Sequence, residues 1–335
     1  MTATTLYFTG PREVSLRDEG IPEPDRDEVL VETAVTAVSG GTELLVYRGD
    51  VAEDTGGNES IDPFAGDFTY PLKYGYAAVG DVVAVGDDVD ERWRERTVFG
   101  FNPHESHFVS DPDELVPVPN DIQSETAALL PTAETAVNLL MDGRPMIGER
   151  VVVFGAGVVG LFTASLLAEF PLERLTVVEP LASRRELAER MGADETIHPE
   201  QVDTLDTQSS PAGADLIYEL TGTPDTLDDA IDAAGYDTRI VVGSWYGRKR
   251  ADIDLGGFFH RGRVDLISSQ VSTLAPEHRG RWTKDRRMDV AWDHLRTIET
   301  DPLITHRTSF DRAPEAYRTL DRDPEDALQV LFLFD

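Results

Sequence analysis

A run of β-branched residues leads straight into three spaced glycines at "VVVFGAGVVGL", residues 151–161, and few folds accommodate that junction. The apolar run predicts a strand buried on both faces, and the glycines predict a turn directly into a helix. In that arrangement Gly155 allows the tight turn, Gly157 lets a pyrophosphate approach the backbone, and Gly160 lets the helix pack close to the strand. The phosphates then meet the first amides of the helix, those of Val158 and Val159, at its positive end. Alone the pattern is weak, because a glycine-rich turn without a ligand reads the same way. Glu179, which ends the next apolar run "RLTVVEP", lies at the spacing that the dinucleotide fingerprint requires, about 20 residues on. A carboxylate there accepts hydrogen bonds from the adenosine ribose hydroxyls and repels a 2'-phosphate, which favours NAD. Arg184 and Arg185 keep NADP as the alternative, since either can meet a phosphate as readily as lie on a helix surface.

Strands and helices alternate around this junction from Ser124 to about residue 270. "SRRELAERMGA" and "TPDTLDDAIDAA" read as helices, and "ADLIYELTG", "TRIVVGSWYG" and "VDLISSQ" as strands. "SETAALLPTAETAVNLLMD" reads as a Ser-capped helix broken at Pro131. Such alternation builds a doubly wound parallel sheet with helices on both faces, and its ligands sit at the carboxyl ends of the strands. That rule places Thr221 and Gly222, Ser244, and Ser269 and Gln270 beside a cofactor. Trp245 and Tyr246 either stack on substrate or cofactor or fill an interface. Before Ser124 the pattern changes: "EVLVETAVTAV", "YAAVGDVVAVG" and "HFVSDPDELVPVP" read as short strands of an all-β, barrel-like unit. Val51 to Asp67 is a Gly- and Asp-rich loop. The tail offers a strand at "LITHRTSF", a helix at "APEAYRTLDR" and a strand at "ALQVLFLF", which most simply rejoin the first unit. The fold class is therefore α/β, with a β-rich domain over 1–122, completed by about 300–335, and a dinucleotide-binding domain over 123–299.

With 335 residues, 40% of them hydrophobic, the chain can bury two cores. It contains no cysteine, which closes disulfide frameworks, thiolate metal sites and cysteine nucleophiles. The net charge is -33, and only three of the 30 basic residues are lysine, at 73, 249 and 284. Self-repulsion of this size is nearly screened out only at high salt, where the Debye length falls to about 3 Å at 1 M. The balance points to a salt-rich cytoplasm, and it disfavours nucleic acid and anionic membrane as partners. No basic start leads into an apolar run, and no stretch approaches the length of a membrane span, so a cytoplasmic protein is expected.

These residues together resemble the medium-chain dehydrogenase/reductase superfamily over essentially the whole chain. "SGGTELLVYRG", "YPLKYGYAAVG", "FNPHESHF", "LLPTAETAVN", "GSWYG" and "ISSQV" are most similar to the branch that includes bacteriochlorophyllide hydroxyethyl dehydrogenases and many zinc-binding alcohol dehydrogenase-like relatives. The resemblance implies a Rossmann domain joined to a GroES-like β-barrel catalytic domain, a small-molecule substrate, and a homo-oligomer, dimeric or tetrameric. In zinc-dependent members the first of these loops carries a metal-binding Cys followed by Gly-Thr-Asp. Here Gly40 holds the Cys position, with Gly41, Thr42 and Glu43 after it. The usual Gly-His-Glu appears as Gly75, Tyr76 and Ala77, and the four-cysteine structural lobe is absent. Catalytic zinc needs three protein ligands, so no zinc is expected.

Without a Lewis acid, protein groups must polarise a carbonyl or take the alcohol proton. The resemblance turns Glu43 and Tyr76 toward the former metal cavity and places His104 on the same cleft. His104 is then the acid/base, Tyr76 the donor and Glu43 the orienting partner, while hydride moves to or from nicotinamide C4. The plainer alternatives are a structural His104 and a Glu43 that bonds loop amides. Lys73 and Tyr74 can also reach the cleft. Thr135 is implied near the nicotinamide ring, with Glu134 or Asn138 toward substrate; otherwise these residues simply begin a helix. His107, His198, His260, His278, His294 and His306 read as surface or packing residues. The expected activity is zinc-independent, NAD(P)-dependent interconversion of a secondary alcohol and a ketone. A quinone or enone reductase is the alternative, and a non-catalytic dinucleotide-binding protein the second.

Overall fold

The computed structural model describes residues 2–51, 68–205 and 212–334, so the loop expected at 51–67 lies outside the described residues except for Val51. Two compact units emerge, one from residues 1–131 with 295–335, the other from 132–294. The first unit begins with a hairpin of β1 (Thr2–Gly10) and β2 (Glu13–Gly20). It continues with β3 (Val29–Val38), a short helix α1 (Thr42–Arg48), β4 (Ala78–Val85), β5 (Thr97–Gly100), β6 (His107–Ser110), β7 (Val116–Pro117) and α2 (Ser124–Ala127). The second unit carries α3 (Leu130–Gly143), β8 (Arg150–Phe154), α4 (Val158–Leu167), β9 (Arg174–Val178), α5 (Ala182–Arg190) and β10 (Glu195–Ile197). It ends with β11 (Ala214–Glu219), α6 (Thr226–Asp232), β12 (Ala234–Val242), α7 (Phe258–Arg261), β13 (Asp265–Ser268) and α8 (Lys284–Thr297). The tail returns β14 (Ile304–Ser309), α9 (Ala313–Arg322) and β15 (Gln329–Leu333).

In the first unit β3 is the organising strand. Its residues are buried except at Glu32 and Ala34, and it pairs antiparallel with β4, β6 and the returning β15. The seven-stranded path runs β14-β15-β3-β4-β5-β7 with β6 paired to β3. Leu6, Phe8, Leu44, Tyr47, Tyr317 and Phe332 form one core beneath it. Each such side chain contributes roughly 1.5–3 kcal/mol by leaving water. The tail is therefore bound into the unit by apolar burial as well as by strand pairing.

The second unit is a six-stranded, wholly parallel sheet ordered β10-β9-β8-β11-β12-β13. Every residue of β8 is buried, as its unbroken apolar run requires. Chain order reverses between β8 and β11, which opens the crevice where a doubly wound sheet receives its ligand. The chain thus has the α/β class that its alternation predicts. One local expectation fails at 124–143. Ser124 is the first residue of α2 rather than its cap, and the capping position, Gln123, makes no side-chain cap bond. Pro131 does not break a helix but sits in the first turn of α3, where its missing N–H leaves no bond unmade. Among the described residues no helix is long and apolar enough to cross a membrane.

Candidate functional site

The glycine turn has the backbone geometry expected of a phosphate cradle. Gly155 has φ +96°, and a Cβ there would lie 2.9 Å from Leu220 O. A Cβ on Gly160 would come within 1.9 Å of Gly155 O, so only glycine lets α4 approach the turn. Gly157 is extended and meets nothing within 4 Å, which leaves open space over the backbone. No side chain caps α4, so the amides that begin at Val158 and Val159 offer their positive end to an anion. Glu179 is buried; its carboxylate accepts from Ala156 N at 2.8 Å and from Leu181 N at 3.0 Å. It fixes the turn from behind. Arg185 Nη1 donates to the carbonyls of Glu179 and Pro180, at 2.6 and 2.7 Å. Arg184 is half-buried at the start of α5.

Other expected cofactor residues occupy the carboxyl ends of the strands. Thr221 and Gly222 follow β11, and Gly222 N donates to Ser244 Oγ at 2.9 Å. Ser269 N bonds Val242 O, and Gln270 Oε1 accepts from Ser272. Trp245 is 39% exposed, whereas Tyr246 donates its hydroxyl to Glu219 at 2.5 Å. Burial first, and Glu219 second, drive the Tyr246 pKa upward.

Glu134 and Asn138, expected toward substrate, are instead both buried on α3 and bound to Arg287 of α8. Arg287 Nε and Nη2 reach Glu134 Oε1 at 3.1 and 2.6 Å, and Nη1 reaches Asn138 Oδ1 at 2.6 Å. Asn138 also donates to Asp142 and Ser269, at 2.9 and 3.0 Å. A buried carboxylate needs such a partner, and helical spacing puts Glu134 and Asn138 on one face to share it. Thr135, one residue on, is half-buried. Nothing local in the sequence separates Arg287 from its neighbour Arg286 in "KDRRMD".

The first unit assembles a second polar cluster. Glu43 in the first turn of α1 and His104 in the loop before β6 are each fully buried, with His104 Nε2 2.9 Å from Glu43 Oε2. The other ring nitrogen lies 2.7 Å from Thr36 Oγ1 on β3. Glu43 Oε1 accepts from Ser39 N at 2.8 Å, and Oε2 also accepts from the Tyr317 hydroxyl on α9. The imidazole packs edge-on against Phe332, with centroids 5.2 Å apart. Tyr76 is half-buried, and its hydroxyl bonds the side chains of Ser39 and Thr42. Burial pushes its pKa up to about 12, with the Glu43 charge adding to the rise, so at neutral pH it is a donor. Thus His104, Glu43 and Tyr76 do converge, the last through hydroxyls. Lys73 does not join them; it pairs with Glu105 at 2.9 Å and Glu19 at 3.5 Å. Tyr317 and Thr36 are further members that no sequence motif marks.

Both imidazole nitrogens and both Glu43 oxygens have protein partners, and Gly40 and Tyr76 hold two of the positions where the resemblance leads one to expect zinc ligands. Among the described residues no group of three or more His, Asp or Glu is arranged to hold a metal ion.

Residues 158–285 match the zinc-binding dehydrogenase family. D-guloside 3-dehydrogenase of Escherichia coli (strain K12) is 24% identical over 97% of this chain and 98% of its own length. The 2-desacetyl-2-hydroxyethyl bacteriochlorophyllide A dehydrogenase of Cereibacter sphaeroides is 27% identical over 99% and 98%. Among solved structures, a dehydrogenase from Sinorhizobium meliloti 1021 assigned to the zinc-binding type and bound to NADP superposes with TM-score 0.79, at 18% identity over 99% of both chains.

Proposed function

We propose, from the match of residues 158–285 to the zinc-binding dehydrogenase family and from the similarity to dehydrogenases over the whole chain, that this is an NAD(P)-dependent dehydrogenase of the medium-chain type that oxidises a secondary alcohol to a ketone, or the reverse, without zinc. The observation that carries this reading is the Tyr76 hydroxyl, resting on Ser39 and Thr42 beside the buried Glu43 carboxylate where a metal ligand would stand. The nicotinamide supplies or accepts the hydride. This chain's residues manage the proton.

Tyr76, half-buried and protonated at neutral pH, donates to the carbonyl oxygen of a ketone as negative charge develops there. Ser39 and Thr42, hydrogen-bonded to the phenol, relay a proton from solvent to it as it donates, and in the oxidative direction the same chain relays the alcohol proton out to solvent. His104 and Glu43 are buried and fully bonded, so they act behind Tyr76: they fix α1 and its preceding loop, and the Glu43 charge discourages ionisation of the phenol. We read Glu134 and Asn138 as holders of Arg287 rather than substrate contacts.

NAD is the preferred cofactor in this reading. The Glu179 carboxylate opposes a 2'-phosphate at the end of β9, and Arg185 points one guanidinium nitrogen, Nη1, back at two carbonyls. Michaelis constants for the two dinucleotides test this, and a lower value for NADPH reverses it.

Tyr76→Phe is the test of the site. It should lower kcat about 100-fold or more while NADH binding persists, as expected when a single proton donor is removed. A Phe variant with parental kcat, or one tightly held zinc per chain whose removal abolishes turnover, contradicts the proposal.

A further inference from the structure

Glu219, the last residue of β11, has no part in the chemistry above, yet it is fully buried at the centre of the parallel sheet. Its register neighbours are Phe154 of β8, which immediately precedes the glycine turn, and Val242 of β12, which precedes Gly243 and Ser244. Three neutral donors converge on its carboxylate. Thr221 N and Thr221 Oγ1 reach Oε1 at 2.8 and 2.5 Å, and the Tyr246 hydroxyl reaches Oε2 at 2.5 Å. The two loops it joins are also joined to each other, by Gly222 N to Ser244 Oγ at 2.9 Å and by Lys249 Nζ to Gly222 O at 2.7 Å.

Desolvating a carboxylate is costly, and an apolar residue would pack the end of a central strand more cheaply. What a carboxylate adds is direction: two oxygens that accept from two different loops and so specify one arrangement of both. The arrangement borders the phosphate cradle. Leu220 N bonds Phe154 O at 2.9 Å, and Leu220 O lies where a side chain on Gly155 would point.

We propose that Glu219 is a positioning residue of the dinucleotide site, holding the loops 221–223 and 243–247 in the conformation that accepts the cofactor, with the Tyr246 hydroxyl as its second anchor. The inference rests on the nicotinamide-dinucleotide reading above. Loops already ordered before binding spare the ligand the entropic cost of ordering them, so loosening them weakens affinity without removing a contact to the cofactor. It also assigns Tyr246: the hydroxyl serves Glu219, and the ring packs on the apolar core beneath.

The experiment compares Glu219→Gln, Tyr246→Phe and the double variant with the parent. NADH affinity is read by fluorescence titration in concentrated KCl, alongside kcat, KM for the dinucleotide and the melting temperature. Each single change should raise the NADH Kd about tenfold, and the double variant should be no more than about twofold worse than either, because both break one bond. KM for the dinucleotide should rise more than kcat falls, the signature of weakened binding rather than a damaged chemical step. Parental affinity in Tyr246→Phe, or fully additive effects in the double variant, overturns the inference. If Glu219→Gln does not fold, Tyr246→Phe decides alone by the same criterion. A parent that binds no nicotinamide dinucleotide defeats the underlying reading as well, whereas a parent that binds with unaffected variants defeats only this proposal.

Discussion

Gly75 has φ +122°, and a Cβ added to it would lie 2.7 Å from His104 Cδ2 and 2.8 Å from Nε2. Two constraints meet at that atom, a backbone conformation that side chains resist and an imidazole held between Thr36 and Glu43. Gly75→Ala should therefore cost about 2 kcal/mol or more of stability, since strain and displacement add. Denaturant midpoints measure it, and a variant as stable as the parent shows that the imidazole can shift freely. Tyr76 carries a different prediction. Its pKa is pushed up to about 12, so it keeps its proton across the working range. The rate of ketone reduction should then show no alkaline loss in Tyr76-containing enzyme until pH approaches that value. A limb near neutrality that disappears in Tyr76→Phe would assign the phenol an ordinary or lowered pKa instead.

At the scale of elements, α8 is held to the rest of the second unit by two buried polar contacts of opposite logic. Arg287 is an ion pair with Glu134, 1% and 8% exposed, and removing one partner of such a pair leaves the other charge buried and alone. Arg287→Leu should cost about 3–5 kcal/mol, and Glu134→Gln in the same background should recover part of it. His294, further along α8, is held neutral: burial lowers its pKa from 6.5 to about 4, against the opposing bond to the Phe162 carbonyl. Ser165 Oγ completes its environment at 3.0 Å. The unfolded chain takes up a proton near pH 6.5 while the folded one resists until about pH 4, so this stability is complete above the first value and lost as pH falls toward the second. The loss amounts to about 3 kcal/mol. His294→Gln cannot titrate, and urea titrations at pH 7, 5.5 and 4.5 should show a correspondingly shallower decline for it; equal slopes would mean the histidine is accessible to protons. Neither contact was legible in the sequence. Arg287 meets residues 153 and 149 positions away, and the Tyr317 bond to Glu43 spans 274 positions. Periodicity and caps report on neighbours a few residues apart, and a cluster assembled from β3, α1 and α9 leaves no such trace. The glycine turn was legible for the opposite reason: strand, turn, helix start and the next strand's carboxylate all fall within about 30 consecutive residues.

For the whole molecule, the α/β class followed from alternating periods alone, whereas the surface charge constrains conditions rather than fold. A net charge of -33 is distributed over a chain whose arginines already pair with surface carboxylates, as Arg26 does with Asp88 and Arg312 with Glu315. Exposed pairs of this kind contribute little each, and 63 acidic against 30 basic residues leaves most carboxylates without one. Their mutual repulsion acts over about 10 Å at 0.1 M salt and about 3 Å at 1 M, so screening removes most of it within a single concentration decade. The melting temperature should accordingly rise steeply between 0.1 and 1 M KCl and flatten beyond. Sucrose, which stabilises by exclusion from the surface and screens nothing, should raise it along a shallow, unsaturating line. The shape of the curve is what discriminates. A KCl response that is linear and matches sucrose would trace the effect to general exclusion, and the excess of acidic residues would then have no electrostatic cost that salt relieves.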